Sequence, residues 1–212
     1  MNNSASFWGN SSPFNFFNFD LDAPSPTQDV ELLQHLAFIP GLKEILTIRQ
    51  VHALEHATVW LLSETNNISP NRVQVDDELL SGFSTEKGFY LYGEVNISDL
   101  RRAVTLAKYR LVNGEWDLAV HPRCGTNLSV AMLLTAGLVA TVPLLLPFRP
   151  IEQLIGFGLA ATTAAELAPE VGSIAQRYLT TSVPFNLEIG NITNITDPWG
   201  NKAHFVGICW QE

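Results

Sequence analysis

The chain has 212 residues, a net charge of −9 at pH 7 and a charged fraction of 16%, against about a quarter in average soluble chains. The acidic balance excludes nucleic acid as a partner, since binding a phosphate backbone needs a basic face, and it argues against attachment to anionic lipid by charge alone. Two distant cysteines, Cys124 and Cys209, are too few for a disulfide framework and read as reduced thiols on a cytosol-facing domain.

The charge deficit is local: between Cys124 and Glu166 the only charges are Arg149 and Glu152. The N-terminus does not read as a secretory signal, because its first 19 residues lack a basic region and are broken by Asn, Ser, Gly and Pro. Residues 1–27 read as a disordered tail. The alternating Phe14-Asn15-Phe16-Phe17-Asn18-Phe19 offers an interfacial anchor as the second reading. Asp29 can cap a first helix through Phe38, and Pro40-Gly41 breaks it. A second helix is expected from Leu42 to Glu64, where Ile45, Ile48, His52, Leu54, Val59 and Leu62 lie near a helical period. Asn66 to Pro70 is a turn. Residues 72–121 read as strand, helix, strand: Phe89–Val95, a helix from Ser98 stopped at Asn113-Gly114, then Asp117–Val120.

Residues 128–147 hold no charged side chain, and about 20 helical residues cross a hydrocarbon layer of about 30 Å. A second apolar run, 151–168, is rich in Gly and Ala, which let helices approach closely in lipid. The two runs predict a helical membrane hairpin; a buried helical pair in a soluble protein is the alternative. Arg123 and Arg177 flank one end and Arg149 the other, which puts the soluble part in the cytoplasm. Residues 185–212 alternate like two strands around a turn at Asp197–Asn201 and can pair with the 89–95 strand. The expected fold class is therefore α+β: a helical membrane hairpin with a small mixed soluble domain. Its divisions are a tail (1–27), a soluble helical and α+β region (28–127), a transmembrane hairpin (128–168) and a return segment (169–212).

The chemistry is expected at His52-Ala53-Leu54-Glu55-His56. Imidazoles four residues apart on a helix share one face and can reach one tetrahedral zinc. This is the inverted order of the zinc-protease helix, in which the glutamate, here Glu55, is a general base. The third ligand is expected at His121 or Cys124, or both, in His121-Pro122-Arg123-Cys124-Gly125-Thr126. Arg123 can lower the Cys124 thiol toward thiolate, and Glu166, in the second apolar run, is a further candidate. His35 and His204 are isolated.

The pairing of these two motifs resembles the YqhQ-like family of predicted metal-dependent membrane proteins, in which the same order is followed by hydrophobic helices. Glu166, Gln176-Arg177-Tyr178-Leu179-Thr180-Thr181 and Pro184 also stand in that family's order, so the likeness covers about residues 48–184. The insert at 72–120 and the tail after 185 depart from it and look like an uncharacterised cyanobacterial and plastid branch. The resemblance implies a metal site and a membrane location, but no substrate. The expected function is a membrane-anchored, metal-dependent hydrolase with zinc or another divalent transition metal, its soluble part cytoplasmic, its partners the bilayer and a membrane protein. The alternative is a non-enzymatic scaffold or assembly factor with a structural metal.

Overall fold

The computed structural model describes residues 28–36, 38–66, 80–146, 149–196 and 200–211. The expectations for the 1–27 tail and for the turns at 67–70 and 197–199 lie outside the described residues.

The core is organised around one helix, α2 (Leu42–Asn66). Its first two turns leave Ile45 and Ile48 exposed, but from Val51 to Leu62 it is buried on nearly every side. With apolar residues spread round its whole circumference and not in one stripe, this stretch must be covered all round. A short α1 (Gln28–His35), the amphipathic α3 (Ile97–Val112) and a four-stranded sheet do this. α1 ends at His35, short of the expected Phe38. Asn96 caps α3 by accepting from the Ser98 N–H at 2.8 Å. Leu100, Ala103, Val104, Ala107 and Leu111 then face the core at helical spacing. Gly114, at φ +101°, follows the C-cap Asn113.

The sheet is antiparallel throughout, in the order β1-β2-β4-β3: β1 (Ser81–Thr85), β2 (Gly88–Tyr92), β3 (Leu187–Thr196) and β4 (Lys202–Trp210). Phe89, Leu91, Val206 and Leu187 form its buried face, while Phe83, Tyr90 and Phe205 stack on the other. The expected pairing of the C-terminal strands with the 89–95 region is present through β4, although β2 stops at Tyr92, where Gly93 takes a positive φ. Gly88 also has a positive φ, and a side chain there would collide with the Val206 carbonyl of β4.

The expected strand at 117–120 is instead a 3₁₀ turn, Trp116–Ala119. It buries Leu118 and Ala119 in the core, and Trp60 Nε1 donates to the Val120 carbonyl at 3.0 Å. Among the described residues no strand pairs with it, and the backbone closes on itself locally, the Val120 N–H donating to the Asp117 carbonyl at 3.1 Å.

α4 (Gly125–Leu145) and α5 (Pro150–Ala175) form an antiparallel pair. Gly156 meets Val142 and Leu146, and Gly172 meets Asn127, so closely that a Cβ at either glycine would overlap them. Among the described residues only α4 is long and apolar enough to cross a membrane, and just 6% of its most apolar window is buried. The two helices pack side by side, but α5 does not reach that standard: Glu152, Glu166, Pro169 and Glu170 interrupt it. A hairpin of two equivalent spans is thus reduced to one candidate span and a polar-interrupted companion.

Candidate metal centre

The fold brings three predicted residues to one point. His52 and His56 of α2 and Cys124, the N-cap of α4, present one ligand atom each, and these atoms lie within 4.8 Å of one another. His52 Nε2 is 3.3 Å from Cys124 Sγ. A tetrahedral zinc with bonds of about 2.0–2.1 Å to nitrogen and 2.3 Å to sulfur would separate them by about 3.6 Å.

Both imidazoles are fixed by their other nitrogen. His52 Nδ1 lies 3.0 Å from the Thr180 carbonyl, and His56 Nδ1 lies 2.6 Å from the Ala119 carbonyl. A carbonyl only accepts, so each Nδ1 carries a hydrogen, and in the neutral ring each Nε2 then keeps its lone pair. This is the tautomer that a metal-binding histidine needs, held by the kind of partner that usually holds it. Two imidazoles and a thiol also suit zinc in donor type. The residues therefore fit a divalent transition metal.

Backbone geometry outside α2 supplies these anchors. Thr180 ends a π-helical turn, Gln176–Thr180, that continues α5. Arg49 clamps the turn by donating to the Tyr178 and Thr181 carbonyls at 3.1 and 3.0 Å. Gln176 is fully buried and joins the turn to the Cys124 loop: its Oε1 accepts from the His121 N–H at 2.8 Å, and its Nε2 donates to Asn127 Oδ1 at 2.7 Å. Asn127 in turn donates to the Pro122 carbonyl at 2.8 Å.

Cys124 Sγ accepts the Thr126 N–H at 3.4 Å. Burial pushes its thiol up, but the hydrogen bond and charge of His56 together with the Thr126 contacts outweigh that and leave it below the ordinary thiol value. The Arg123 guanidinium, expected to act on this thiol, donates to the Leu80 carbonyl at 3.1 Å.

Glu55 is buried on the same helix, facing β1. Ser84 Oγ donates to Glu55 Oε2 at 2.5 Å. Gly82 sits where any Cβ would overlap the carboxylate, so the strand lies directly on it. Burial raises the Glu55 carboxyl above its usual range, opposed in part by Ser84 and by the charge of His52. Glu55 and the three-atom cluster line one cleft of about 540 Å³, walled by β1 on one side and by the π turn and the start of α4 on another. A larger groove of about 770 Å³ lies at the far end of the sheet and holds none of the cluster.

His121 lies beside the cluster, outside it. Its ring is 5.7 Å from that of His56 and 4.8 Å from that of Trp60, and its Nδ1 accepts the Arg123 N–H at 3.3 Å. Glu166 is exposed on α5 and does not join the cluster. Nor do His35 and His204. Sequence reasoning missed Ser84, Gly82, Gln176 and the Thr180 and Ala119 carbonyls; of these, only the 176–181 segment carried a signal, through the family resemblance.

The chain matches the family model described as Domain of unknown function (DUF6391) over residues 47–192, a span that contains every residue of the cluster. It is 50% identical over 197 residues to an uncharacterized protein of Picosynechococcus sp., covering 93% of this chain and 96% of the relative. No solved structure matches.

Proposed function

We propose that this chain, which belongs to the DUF6391 family, is a membrane-anchored hydrolase that works with a divalent metal, zinc foremost, held by His52, His56 and Cys124. The observation that carries this reading is the pinning of both imidazoles through Nδ1, which turns both Nε2 atoms and one sulfur to a common point beside a buried carboxylate. Three protein donors leave a tetrahedral metal one position short, the mark of a catalytic rather than a closed site. A bound metal would supply Lewis-acid polarisation and a water made acidic enough to lose its proton near neutral pH.

The chain's own residues supply the rest. Ser84 occupies Glu55 Oε2, which leaves Oε1 to accept a proton. Burial brings the carboxyl's proton affinity closer to neutral pH, where a base can both take and return a proton. Gly82 and Ser84 hold the carboxylate in place. The membrane reading is supported by α4, whose apolar side chains face outward; with that helix in lipid, its cap Cys124 would bring the cleft to the lipid boundary. Arg123 and Arg177 at that end favour a cytoplasmic soluble part.

A second reading, a structural metal stapling α2 to the hairpin of a scaffold protein, is favoured by the same capping role of Cys124. The two part over the coordination shell and Glu55. Elemental analysis and X-ray absorption on detergent-purified protein should give one metal per chain with three protein ligands. The metal should be lost in His52→Ala, His56→Ala and Cys124→Ala. Glu55→Gln should keep the metal and abolish hydrolysis of ester and amide probes. Four protein ligands, or loss of metal in Glu55→Gln, would overturn the hydrolase reading.

A further inference from the structure

We infer that the cleft takes an extended, apolar polypeptide segment, which adds to the sheet as a further strand along the open edge of β1. This rests on the hydrolytic reading above and names its substrate class.

Among the described residues β1 is a terminal strand, bonded to β2 on one side only. Its register with β2 is fixed: Ser81↔Tyr92, Phe83↔Tyr90, Thr85↔Gly88. The Ile208 N–H donates to the Lys87 carbonyl at 3.0 Å, so residue 87 directs its backbone toward β4. Backbone direction alternates along a strand, so 88, 90 and 92 direct theirs toward β1. Their partners 81, 83 and 85 complete those bonds. Gly82 and Ser84 therefore direct their N–H and C=O groups outward. Among the described residues no hydrogen bond closes on these four groups.

Such an edge is a template for pairing. Here it is also a wall of the cleft that holds Glu55 and the metal cluster, because residues 82–84 line that cleft. A peptide laid along it would gain backbone bonds from Gly82 and Ser84 and pass beside the Glu55 carboxylate that these two residues touch. Strand addition of this kind draws affinity from main-chain bonds and selectivity from alternate side chains. The side chains waiting for it are apolar: Ile45, Ile48 and Leu179 are exposed and line the same cleft. On hydrolysis the amide C–N bond breaks, the oxygen of water goes to the carbonyl carbon, and Glu55 passes the proton it takes from that water to the departing nitrogen.

The test uses the zinc-loaded full chain in detergent micelles and a fluorescein-labelled, proline-free octapeptide of Leu, Ala and Thr, followed by anisotropy. Two analogues are N-methylated, one at odd positions and one at even positions. Each N-methyl group on the pairing edge removes a hydrogen bond, so one analogue should bind at least about tenfold more weakly while the other matches the parent. Ser84→Ala and Ser84→Pro both lose the hydroxyl, but only Ser84→Pro loses the outward N–H, a place where an edge strand tolerates proline. Ser84→Pro should bind at least about fivefold more weakly than Ser84→Ala at equal zinc content. Equal binding of the parent and both analogues overturns the inference, and so does equal binding of the two Ser84 variants. Should Ser84→Pro fail to fold, the methylated pair decides alone. Hydrolysis of p-nitrophenyl acetate that depends on Glu55 reports on the parent reading separately: if it persists while the peptide result is negative, the substrate class is wrong and the hydrolase stands.

Discussion

Two helices of comparable length, α2 and α4, meet opposite fates. α2 carries Gln50, Glu55, His56, Thr58 and Ser63, yet it is the buried centre of the protein. α4 carries no charge at all, yet Leu133 is 73% exposed and Leu144 83% exposed. Polarity alone would have placed them the other way round. The difference lies in partners. Gln50 donates to Asp29 and Asn186 at 2.5 and 3.0 Å, so α2's buried amide is satisfied from α1 and from the approach to β3. Among the described residues α4 packs mainly on α5, along a seam of small residues, with the π turn touching its start, and most of its apolar surface is exposed. A helix of this kind is stable where the surroundings are themselves apolar, and this contrast supports the membrane reading of α4 over a misplaced core helix.

That contrast can be broken most forcefully by cutting into α2. Leu54→Ala, at a fully buried site, should cost about 2–5 kcal/mol in chemical denaturation of the micelle-bound protein. Leu133→Ala on α4 should stay within about 0.5 kcal/mol. A similar cost at both sites would mean that α4 is covered by protein. Next, Leu133→Arg should weaken membrane insertion by about 2.5–3.5 kcal/mol, read as the fraction extracted by alkaline carbonate. An unchanged fraction would show that α4 does not lie in lipid. The junction between the two regions gives a smaller effect. Gln176→Leu orphans the His121 N–H and should cost about 1–3 kcal/mol, with weaker metal retention on dialysis. The smallest shift concerns the sulfur. After chelation, alkylation of Cys124 by iodoacetamide should have its midpoint below that of an ordinary thiol, because His56 and Thr126 favour the thiolate. His56→Ala should move it upward.

The same contrast separates what was legible in the sequence from what was not. The His52/His56 pair was readable because helical spacing puts them on one face, whatever the rest of the chain does. The Cys124 loop was readable as a neighbour through its donor types, but choosing between His121 and Cys124 was beyond any pattern. Which of them reaches the two imidazoles depends on the five-residue segment 120–124 and on Gln176, far along the chain, which holds the His121 backbone. The anchors of the two imidazoles are main-chain carbonyls, which every residue carries and no sequence singles out. β1 was missed because Ser81-Gly82-Phe83-Ser84-Thr85 has a single large apolar residue; the strand exists because β2 and Glu55 hold it. The 117–120 segment looked like a strand in composition, yet burial of Leu118 and Ala119 against α2 decided its shape. The second apolar run had the small residues that pack against α4, and the acids that keep it from matching α4 were equally visible.

Cys124 is at once the end of a loop tied to the core and the cap of a helix that leaves it. Its sulfur is carried by the first turn of α4, whereas His52 and His56 ride on a helix locked in the protein interior. A spanning helix tilts to match the thickness of the hydrocarbon around it. On the proposed membrane reading, one corner of the triangle of donor atoms would answer to the lipid and the other two would not, so the composition of the surrounding bilayer would set how tightly that triangle closes.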